Sequence, residues 1–278
     1  MNKVLKRAIT GFFFLVIMLA GMLLSPFSFG ILFTLISALM VYEFGGLVNR
    51  LTDARMSALL TAMASAYLFL SVMAFRIGYA GLGIIFPYVV FMMALTISQL
   101  YLKLPNPMGN WAFTMLSQAF CAIPLSLLNF LAFEKGAPGE ATFTPILPLS
   151  VFIFIWVSDT FAYCTGMLFG RHRLLERVSP KKSWEGFFGG LAFSIGAACI
   201  LAHFYTILNI WMWIGLAVTI VVAGILGDLT ESLMKRQLGI KDSGNILPGH
   251  GGLLDRFDSA LMAIPASVAY LYLIGVLS

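Results

Sequence analysis

Long apolar runs dominate the pattern of hydrophobic and polar positions along the chain, and short polar stretches separate them. A run of about 17 to 25 apolar residues is long enough to cross a bilayer as an α-helix. The pattern therefore predicts an all-α integral membrane protein with about nine transmembrane helices. The predicted spans cover about residues 8–24, 28–45, 57–75, 82–102, 111–131, 147–169, 187–208, 211–229 and 259–277.

Polar positions inside these runs divide the chain near residue 146. Residues 1–146 hold few charges and short loops, which favours an N-terminal transmembrane scaffold. Glu43, near the inner end of the second span, is expected to face the membrane interface in a structural role. Residues 147–278 carry most of the charged segments, so we expect a C-terminal catalytic transmembrane region there, within one membrane domain overall.

The distribution of basic residues predicts the orientation in the membrane. Lys and Arg are retained on the cytoplasmic side of short loops. In the nine-span arrangement fifteen of them lie on the side of the N-terminus, and only Arg76 and Lys135 lie opposite. We expect a multi-pass cell-membrane protein with a cytoplasmic N-terminus, an outside C-terminus and a cytoplasmic active site.

Composition changes this picture little. The chain is 60% hydrophobic and 10% charged, with a formal net charge of +5. Basic loops beside anionic lipid account for that charge, so no nucleic-acid partner is expected. Cys121, Cys164 and Cys199 lack the spacing of a zinc or redox motif, and we expect each to pack in the core.

Charged residues inside the later apolar runs are candidates for a functional site. Asp159 interrupts the sixth span, where a carboxylate costs several kcal/mol unless it is paired, protonated or bound to a metal. At the end of the eighth span Asp228, Glu231, Ser232 and Lys235 recur at helical spacing, which places all four on one face. A functional site is predicted on this face.

Three aspartates, Asp228, Asp255 and Asp258, lie at the cytoplasmic ends of two predicted helices. Hard carboxylate oxygens suit Mg²⁺, whose shell is usually completed by water and substrate phosphates. A magnesium-phosphate site is therefore predicted. The alternative is that these aspartates pair with Lys235, Arg236 and Arg256 at a wetted interface.

Two loops complete the set of polar segments. In one, Gly249, Gly251 and Gly252 surround His250 before a helix start, an arrangement that lets backbone N–H groups approach an anion. The other, SPKKSWEG at 179–186, places lysines just before a helix, with Glu185 near its N-terminal end. Its lysines are either phosphate ligands or topology signals. His172 and His203 are expected to be isolated.

These segments resemble a known family. The run from Ser232 to Asp258 is similar to the signature of phosphatidate cytidylyltransferases, also called CDP-diacylglycerol synthases, and so are SPKKSWEG at 179–186 and SDTFAYCTGMLFGRH at 158–172. Ser183 replaces a common threonine of the family. The resemblance covers about residues 150–278. The fixed positions met are Ser232, Lys235, Arg236, Lys241, Asp242, His250, Gly251, Gly252, Asp255, Arg256 and Asp258.

The resemblance implies a reaction of CTP with phosphatidate that gives CDP-diacylglycerol and diphosphate and depends on Mg²⁺. It implies Asp228 and Asp255 as metal ligands, with Asp258 completing the site or supporting a second cation, and Lys235 as a further catalytic residue. It also implies a membrane-lipid environment and a homodimer. Implied substrate-binding residues are Ser179, Lys181, Lys182, Ser183, Ser232, Arg236, Lys241, Asp242, His250 and Arg256.

Other functions remain open at this stage. A transporter for an anionic substrate would also carry intramembrane carboxylates such as Asp159 and Asp228, although the chain shows no internal repeat. A lipid-binding scaffold and a lipid-alcohol kinase that uses CTP are further alternatives. The product separates them, because only cytidylyl transfer releases diphosphate.

Overall fold

The computed structural model describes residues 3–134, 141–244, 246 and 251–277, with side chains from residue 9 onward. These residues form α-helices joined by short loops and by two small β-ribbons. The all-α prediction is confirmed, except that the ribbons were not predicted. The helices are α1 (Lys3–Leu23), α2 (Pro26–Leu51), α3 (Ala58–Ile77), α4 (Phe86–Ser98), α5 (Pro107–Ser117), α6 (Ile123–Ser126), α7 (Leu128–Ala132), α8 (Ile146–Phe169), α9 (Trp184–Phe204), α10 (Ile210–Gln237) and α11 (Leu254–Leu273).

Shorter elements connect these helices. A 3₁₀ turn (Leu82–Ile85) precedes α4, and a π-helical turn (Gln118–Ala122) joins α5 to α6. Strands β1 (Phe133–Glu134) and β2 (Thr142–Phe143) pair antiparallel. Strands β3 (Arg173–Leu175) and β4 (Ser179–Ser183) form the second antiparallel ribbon, which brings Arg173 opposite Ser183.

Six helical runs among the described residues are long and apolar enough to cross a membrane. The apolar segments Ile9–Leu23 and Leu82–Ser98 are shorter. Three of the first five residues of α11 are charged, namely Asp255, Arg256 and Asp258. The protein is therefore a multi-pass membrane protein, and the count of nine spans stays a prediction. The six runs are Pro26–Leu51, Ala58–Ile77, Pro107–Ala132, Ile146–Phe169, Trp184–Phe204 and Ile210–Gln237.

The chain forms two compact units. The first comprises Met1–Pro145 and Asp242–Phe257, and the second comprises Ile146–Lys241 and Asp258–Ser278. The boundary after Pro145 lies close to the predicted division near residue 146, but Asp242–Phe257 groups with the N-terminal unit. The assignment of scaffold and catalytic roles to residues 1–146 and 147–278 stays a prediction.

In the first unit, α2 begins at a capping box and then supplies the aromatic core. The Ser25 hydroxyl accepts a hydrogen bond from the backbone N–H of Ser28, and Pro26 at the first helical position fits because it has no N–H to satisfy. One turn later the ring of Phe29 lies 4.9 Å from that of Phe33 and 5.9 Å from that of Phe133. These contacts hold α2 in a dry core.

In the second unit, close packing of α8 on α9 positions the loop between them. A Cβ on Gly186 would lie 2.8 Å from the carbonyl oxygen of Ala162, and one on Gly190 would lie 2.7 Å from that of Ser158. Only glycine therefore allows this approach. Ser183 ends β4 and caps α9, accepting a hydrogen bond of 3.1 Å from the N–H of Gly186.

The three cysteines are free thiols in different surroundings. Cys121 is buried, as predicted. Cys164 and Cys199 are exposed on the surface of their helices, so the prediction that they pack in the core is wrong. Their helices are long apolar spans, and a thiol behaves there as a small hydrophobic side chain.

Candidate active site

The polar face predicted at the end of α10 is present. The Ser232 hydroxyl donates a hydrogen bond of 3.2 Å to Oδ1 of Asp228, one turn earlier. On the same face Lys235 forms an ion pair with Glu231, which is fully buried. Buried charges persist in proteins when they are paired in this way. The predicted face of α10 therefore carries two interacting pairs, Asp228 with Ser232 and Glu231 with Lys235.

A cation from the β3–β4 ribbon reaches this face. Lys182 on β4 forms an ion pair with Oδ2 of Asp228, and both side chains are about three-quarters buried, with 26% and 24% of their surfaces exposed. This pair differs from the predicted alternative, in which Lys235, Arg236 and Arg256 neutralise the aspartates. Asp228 therefore occupies a position that already accepts a positive charge.

The carboxylates of the second unit lie close enough to interact. Asp258 interacts electrostatically with Asp228, Glu231 and Asp159, and its Oδ1 accepts a hydrogen bond of 2.6 Å from the N–H of Ser259. Gly227 permits this proximity, because a Cβ there would lie 2.5 Å from the carbonyl oxygen of Asp258. Carboxylates of α8, α10 and α11 thus lie near one another in the second unit.

A cavity of about 440 Å³ lies beside this cluster in the second unit. Asp159, the carboxylate predicted inside an apolar span, lines this cavity and interacts electrostatically with Asp258. Cationic side chains and the Ser183 cap line the cavity, and apolar residues of α8, α9 and α10 form other parts of its wall. Polar lining residues include Asp159, Arg173, Lys181, Lys182 and Ser183; apolar ones include Ile155, Phe187, Ile220 and Val221.

The base of the β3–β4 ribbon is closed by Glu185 in the first turn of α9. Its carboxylate accepts hydrogen bonds from the backbone N–H groups of Arg171 and His172, and its Oε1 lies 2.6 Å from Nδ1 of His172. Glu185 also bonds its own backbone N–H at the start of α9, so the prediction that it interacts with this helix end is confirmed. The prediction that His172 is isolated is wrong, because its contacts with Glu185 hold the start of the ribbon against α9.

In the first unit, Asp255 organises the start of α11. Its Oδ2 accepts three hydrogen bonds: 2.8 Å from the N–H of Ser243, 3.0 Å from the Ser243 hydroxyl and 2.8 Å from the N–H of Gly252. Gly251 adopts a φ of 86°, and a Cβ there would lie 2.8 Å from the same oxygen. Glycine is required at this position on both grounds. The side chain of Asp255 is thus held in one orientation.

Glu43 of α2 is the residue that sequence reasoning placed wrongly. Its side chain is buried, with 6% exposed, and does not face the membrane interface. Oε2 accepts hydrogen bonds from the N–H groups of Leu253 (2.7 Å) and Leu254 (3.1 Å), and Oε1 accepts one from the Ser243 hydroxyl (3.3 Å). A carboxylate inside a predicted apolar span was the only signal for it.

The remaining predicted site residues have varied surroundings. Ser179 is half-buried in β4 opposite Leu175, and Arg236 donates to the carbonyl oxygen of Ile240 at 3.4 Å. Lys241, Asp242 and Arg256 are exposed. His250 and Gly249 lie outside the described residues. Lys241 belongs to the second unit, and Asp242 and Arg256 belong to the first.

The donor chemistry of the second unit fits a hard divalent cation. Asp228 and Asp258 offer carboxylate oxygens in one electrostatic cluster, and the Lys182 ammonium shows that a cation is accommodated beside Asp228. Among the residues that the structure describes, no group of three or more His, Cys, Asp or Glu side chains forms a ready ligand set. Mg²⁺ needs only one or two carboxylates, with water and phosphate completing its shell.

Comparison with known proteins agrees with these features. The model of the cytidylyltransferase family matches residues 5–274. The chain belongs to this family. Relatives named phosphatidate cytidylyltransferase from Staphylococcus epidermidis and Staphylococcus haemolyticus are 39% identical to it over 156 residues, and one from Staphylococcus aureus is 38% identical over the same length. Each alignment covers 55% of this chain and 58% of the relative.

Proposed function

We propose that this protein is a nucleotidyltransferase that transfers CMP from CTP to phosphatidate. The products are CDP-diacylglycerol, a precursor in phospholipid biosynthesis, and diphosphate. The observation that carries the proposal is the cavity of the second unit, in which cationic side chains stand beside an apolar wall. A lipid phosphate with acyl tails needs both surfaces. Family membership and the printed names of the relatives support the choice of reaction.

The cationic side chains of the cavity are suited to bind phosphate oxygens. Lys181, Lys182 and Arg173 supply positive charge there, and the Ser183 hydroxyl adds a polar group. Two anionic reactants repel each other, so positioning and charge neutralisation supply most of the catalysis in such transfers. We also assign substrate binding to Ser179, Ser232, Arg236, Lys241, Asp242, His250 and Arg256, and a catalytic role to Lys235, on the basis of the family motif.

The reaction requires no protein nucleophile. An oxygen of the phosphatidate phosphate attacks the α-phosphorus of CTP, and a new oxygen–phosphorus bond forms. The bond from that phosphorus to the bridging oxygen breaks, and diphosphate leaves with the electron pair. No general base is obligatory, because a phosphomonoester is already largely dianionic near neutral pH. The protein's residues hold both phosphates in line and exclude competing water.

Asp228 and Asp258 would hold Mg²⁺ in the second unit. When bound, Mg²⁺ supplies positive charge that offsets the charge of the triphosphate and of the leaving diphosphate. The role of Asp255 in metal binding rests on the family motif and on its position three residues before Asp258 in α11. A second cation is part of the same proposal. Lys182, paired with Asp228 in this structure, keeps the carboxylate oriented.

The proposed setting is the cytoplasmic face of the cell membrane, with the N-terminus cytoplasmic and the C-terminus outside. CTP is a cytosolic substrate, and the basic residues of the ribbon and of the end of α10 belong to the predicted cytoplasmic side. A homodimer is proposed from the family resemblance, and the mass of the detergent-purified protein tests it.

The direct test is diphosphate release by purified protein in detergent. CTP, Mg²⁺ and phosphatidate are supplied together, and then each is omitted in turn. Release that needs all three, with CMP appearing in the lipid fraction, supports the proposal. CDP as the product would indicate a lipid kinase instead, and substrate movement across vesicles without either product would indicate a transporter.

Asp228→Asn gives the matched inactive enzyme for this assay. The amide keeps the size of the side chain and its bond to Ser232, but it removes the charge that would hold Mg²⁺. We expect the melting temperature to change little and turnover to fall at least about 100-fold, the loss typical of removing a group that acts on transition-state charge. Near-normal turnover would remove Asp228 from the metal site.

A further inference from the structure

We propose that Glu43 is a positioning residue for the reaction, acting through Ser243 and the start of α11 on Asp255. The inference rests on the proposed function, since it concerns the orientation of a carboxylate assigned to that site. The proposed role of Glu43 is therefore indirect. Its contacts lie with the backbone and with one hydroxyl group, all inside the first unit.

Glu43 bonds the start of α11. Helix N-termini leave N–H groups without partners inside the helix, and a Ser, Thr, Asp or Asn just before the helix usually accepts a bond from one of them. Here the residue before the helix is Leu253, whose side chain cannot accept. Oε2 of Glu43 accepts from the N–H groups of Leu253 and Leu254 instead. A carboxylate from a distant helix therefore satisfies two N–H groups at the start of α11.

Ser243 lies between two carboxylates. Its hydroxyl oxygen lies 3.0 Å from Oδ2 of Asp255 and 3.3 Å from Oε1 of Glu43. A hydroxyl group has one hydrogen to donate. Glu43 and Asp255 therefore share one donor, and a change at either carboxylate alters the bond made to the other. This sharing couples Glu43 to Asp255.

Two glycines lie close against the Glu43 carboxylate. A Cβ on Gly244 or on Gly252 would collide with Oε1 of Glu43, and one on Gly252 would also collide with the Ser243 hydroxyl. These glycines therefore make room for a particular carboxylate. Gly252 belongs to the loop that the sequence predicts to approach an anion. In the structure, Gly252 lies against the carboxylate of Glu43.

These contacts favour a positioning role over support of the fold alone. Every group that Glu43 bonds either bonds Asp255 or lies within two residues of it along the chain. The N–H of Gly252, adjacent to Leu253, donates to Asp255 itself. Removing the Glu43 charge should therefore loosen Asp255 before it loosens the core of α2.

The test compares Glu43→Gln and Ser243→Ala with Ser65→Ala. Ser65 is a matched control because it is equally buried, belongs to the same unit, and forms a hydroxyl pair of 2.6 Å with Ser37 away from the loop. We expect kcat to fall roughly 10- to 100-fold in Glu43→Gln, as for loss of a hydrogen bond to a charged group. KM for CTP should change less than threefold. Ser65→Ala should keep kcat within about twofold.

A double-mutant cycle then tests the shared donor. The combined Glu43→Gln and Ser243→Ala variant should lose less activity than the product of the two single losses, because both changes act on one network. Multiplicative losses would overturn the coupling. If Glu43→Gln does not fold, Ser243→Ala and Ser243→Thr decide the matter, since threonine restores the hydroxyl and should restore kcat.

Hydrogen–deuterium exchange in the absence of Mg²⁺ gives a readout that does not depend on activity. The amides of residues 252–254 should exchange at least about tenfold faster in Glu43→Gln than in wild type, and unchanged in Ser65→Ala. If the wild type turns over and Glu43→Gln keeps its kcat, the inference is wrong while the proposed function stands. If the wild type releases no diphosphate, the proposed function fails, and unchanged exchange in Glu43→Gln would then also overturn the inference.

Discussion

Replacing Lys182 with methionine removes one positive charge from the cavity wall and keeps an unbranched side chain of similar length. Lys182 is the cavity residue that also pairs with Asp228. If it binds substrate phosphate, Lys182→Met should reduce turnover far more than it reduces stability. The structure predicts the size of the loss in stability and the size of the loss in activity separately.

The stability effect should be small. About a quarter of each side chain in the Lys182–Asp228 pair is exposed, so solvent partly screens their attraction. Exposed pairs contribute about 0–1 kcal/mol to folding, and loss of one partner costs more when the pair is buried, so we expect a loss of about 1–1.5 kcal/mol. At roughly 2–4 °C per kcal/mol for a chain of this order of size, the melting temperature should fall by at most about 6 °C. A larger fall would mean that Lys182 supports the ribbon structurally.

The catalytic effect should be large. A hydrogen bond from an ammonium group to a charged partner contributes about 1.5–3 kcal/mol. Since about 1.4 kcal/mol corresponds to a factor of ten, kcat/KM should fall roughly 10- to 150-fold. The assay measures diphosphate release over a range of CTP and phosphatidate concentrations, which separates weaker substrate binding from slower turnover.

Arg177→Met is the matched control for this change. Arg177 lies in the turn between β3 and β4, is exposed, and is not among the residues that line the cavity. The substitution removes the same formal charge from the same ribbon, so it should leave kcat/KM within about twofold of wild type. Equal losses in Lys182→Met and Arg177→Met would refute the assignment of Lys182 to phosphate binding, because activity would then depend only on the net charge of the ribbon.

Two further predictions concern packing and orientation. Gly186→Ala should destabilise the protein by about 1–3 kcal/mol, because the new methyl group would collide with the carbonyl oxygen of Ala162. Gly196→Ala in the same helix is the control, since a Cβ there meets nothing within 4 Å and should not destabilise the protein. Equal melting temperatures for the two variants would contradict the packing argument. Arg177→Cys, in a background whose native cysteines are replaced by alanine, should react with a membrane-impermeant thiol reagent only in inside-out vesicles, and labelling in right-side-out vesicles would reverse the proposed orientation.

The parts of the molecule that the sequence predicted are those governed by local spacing. The helical repeat placed Asp228, Glu231, Ser232 and Lys235 on one face of α10, and two pairs of them contact each other. The helix start within SPKKSWEG was predicted from local sequence in the same way, and the structure shows that Ser183 caps it. The β3–β4 ribbon escaped prediction because its sequence is charged and lacks an alternating apolar pattern, and its pairing depends on backbone hydrogen bonds.

Long-range contacts were beyond the reach of local patterns. A carboxylate in an apolar helix indicates that some partner must satisfy Glu43, but not which one. Its donors follow it by about 200 residues along the chain. The Lys182–Asp228 pair is a smaller case, since the basic loop and the α10 face were each identified while their contact was not.

The separation of Glu43 from Leu253 by 210 residues also has a consequence for biosynthesis. At about 5–20 residues per second, the ribosome adds Leu253 about 10–40 seconds after Glu43. For that time α2 carries a carboxylate whose eventual hydrogen-bond donors have not yet been made. The nascent chain must therefore keep this group hydrated or protonated during membrane insertion. A message truncated before this point would yield helices that insert but leave Glu43 without these donors, and such products would be expected to be recognised and degraded.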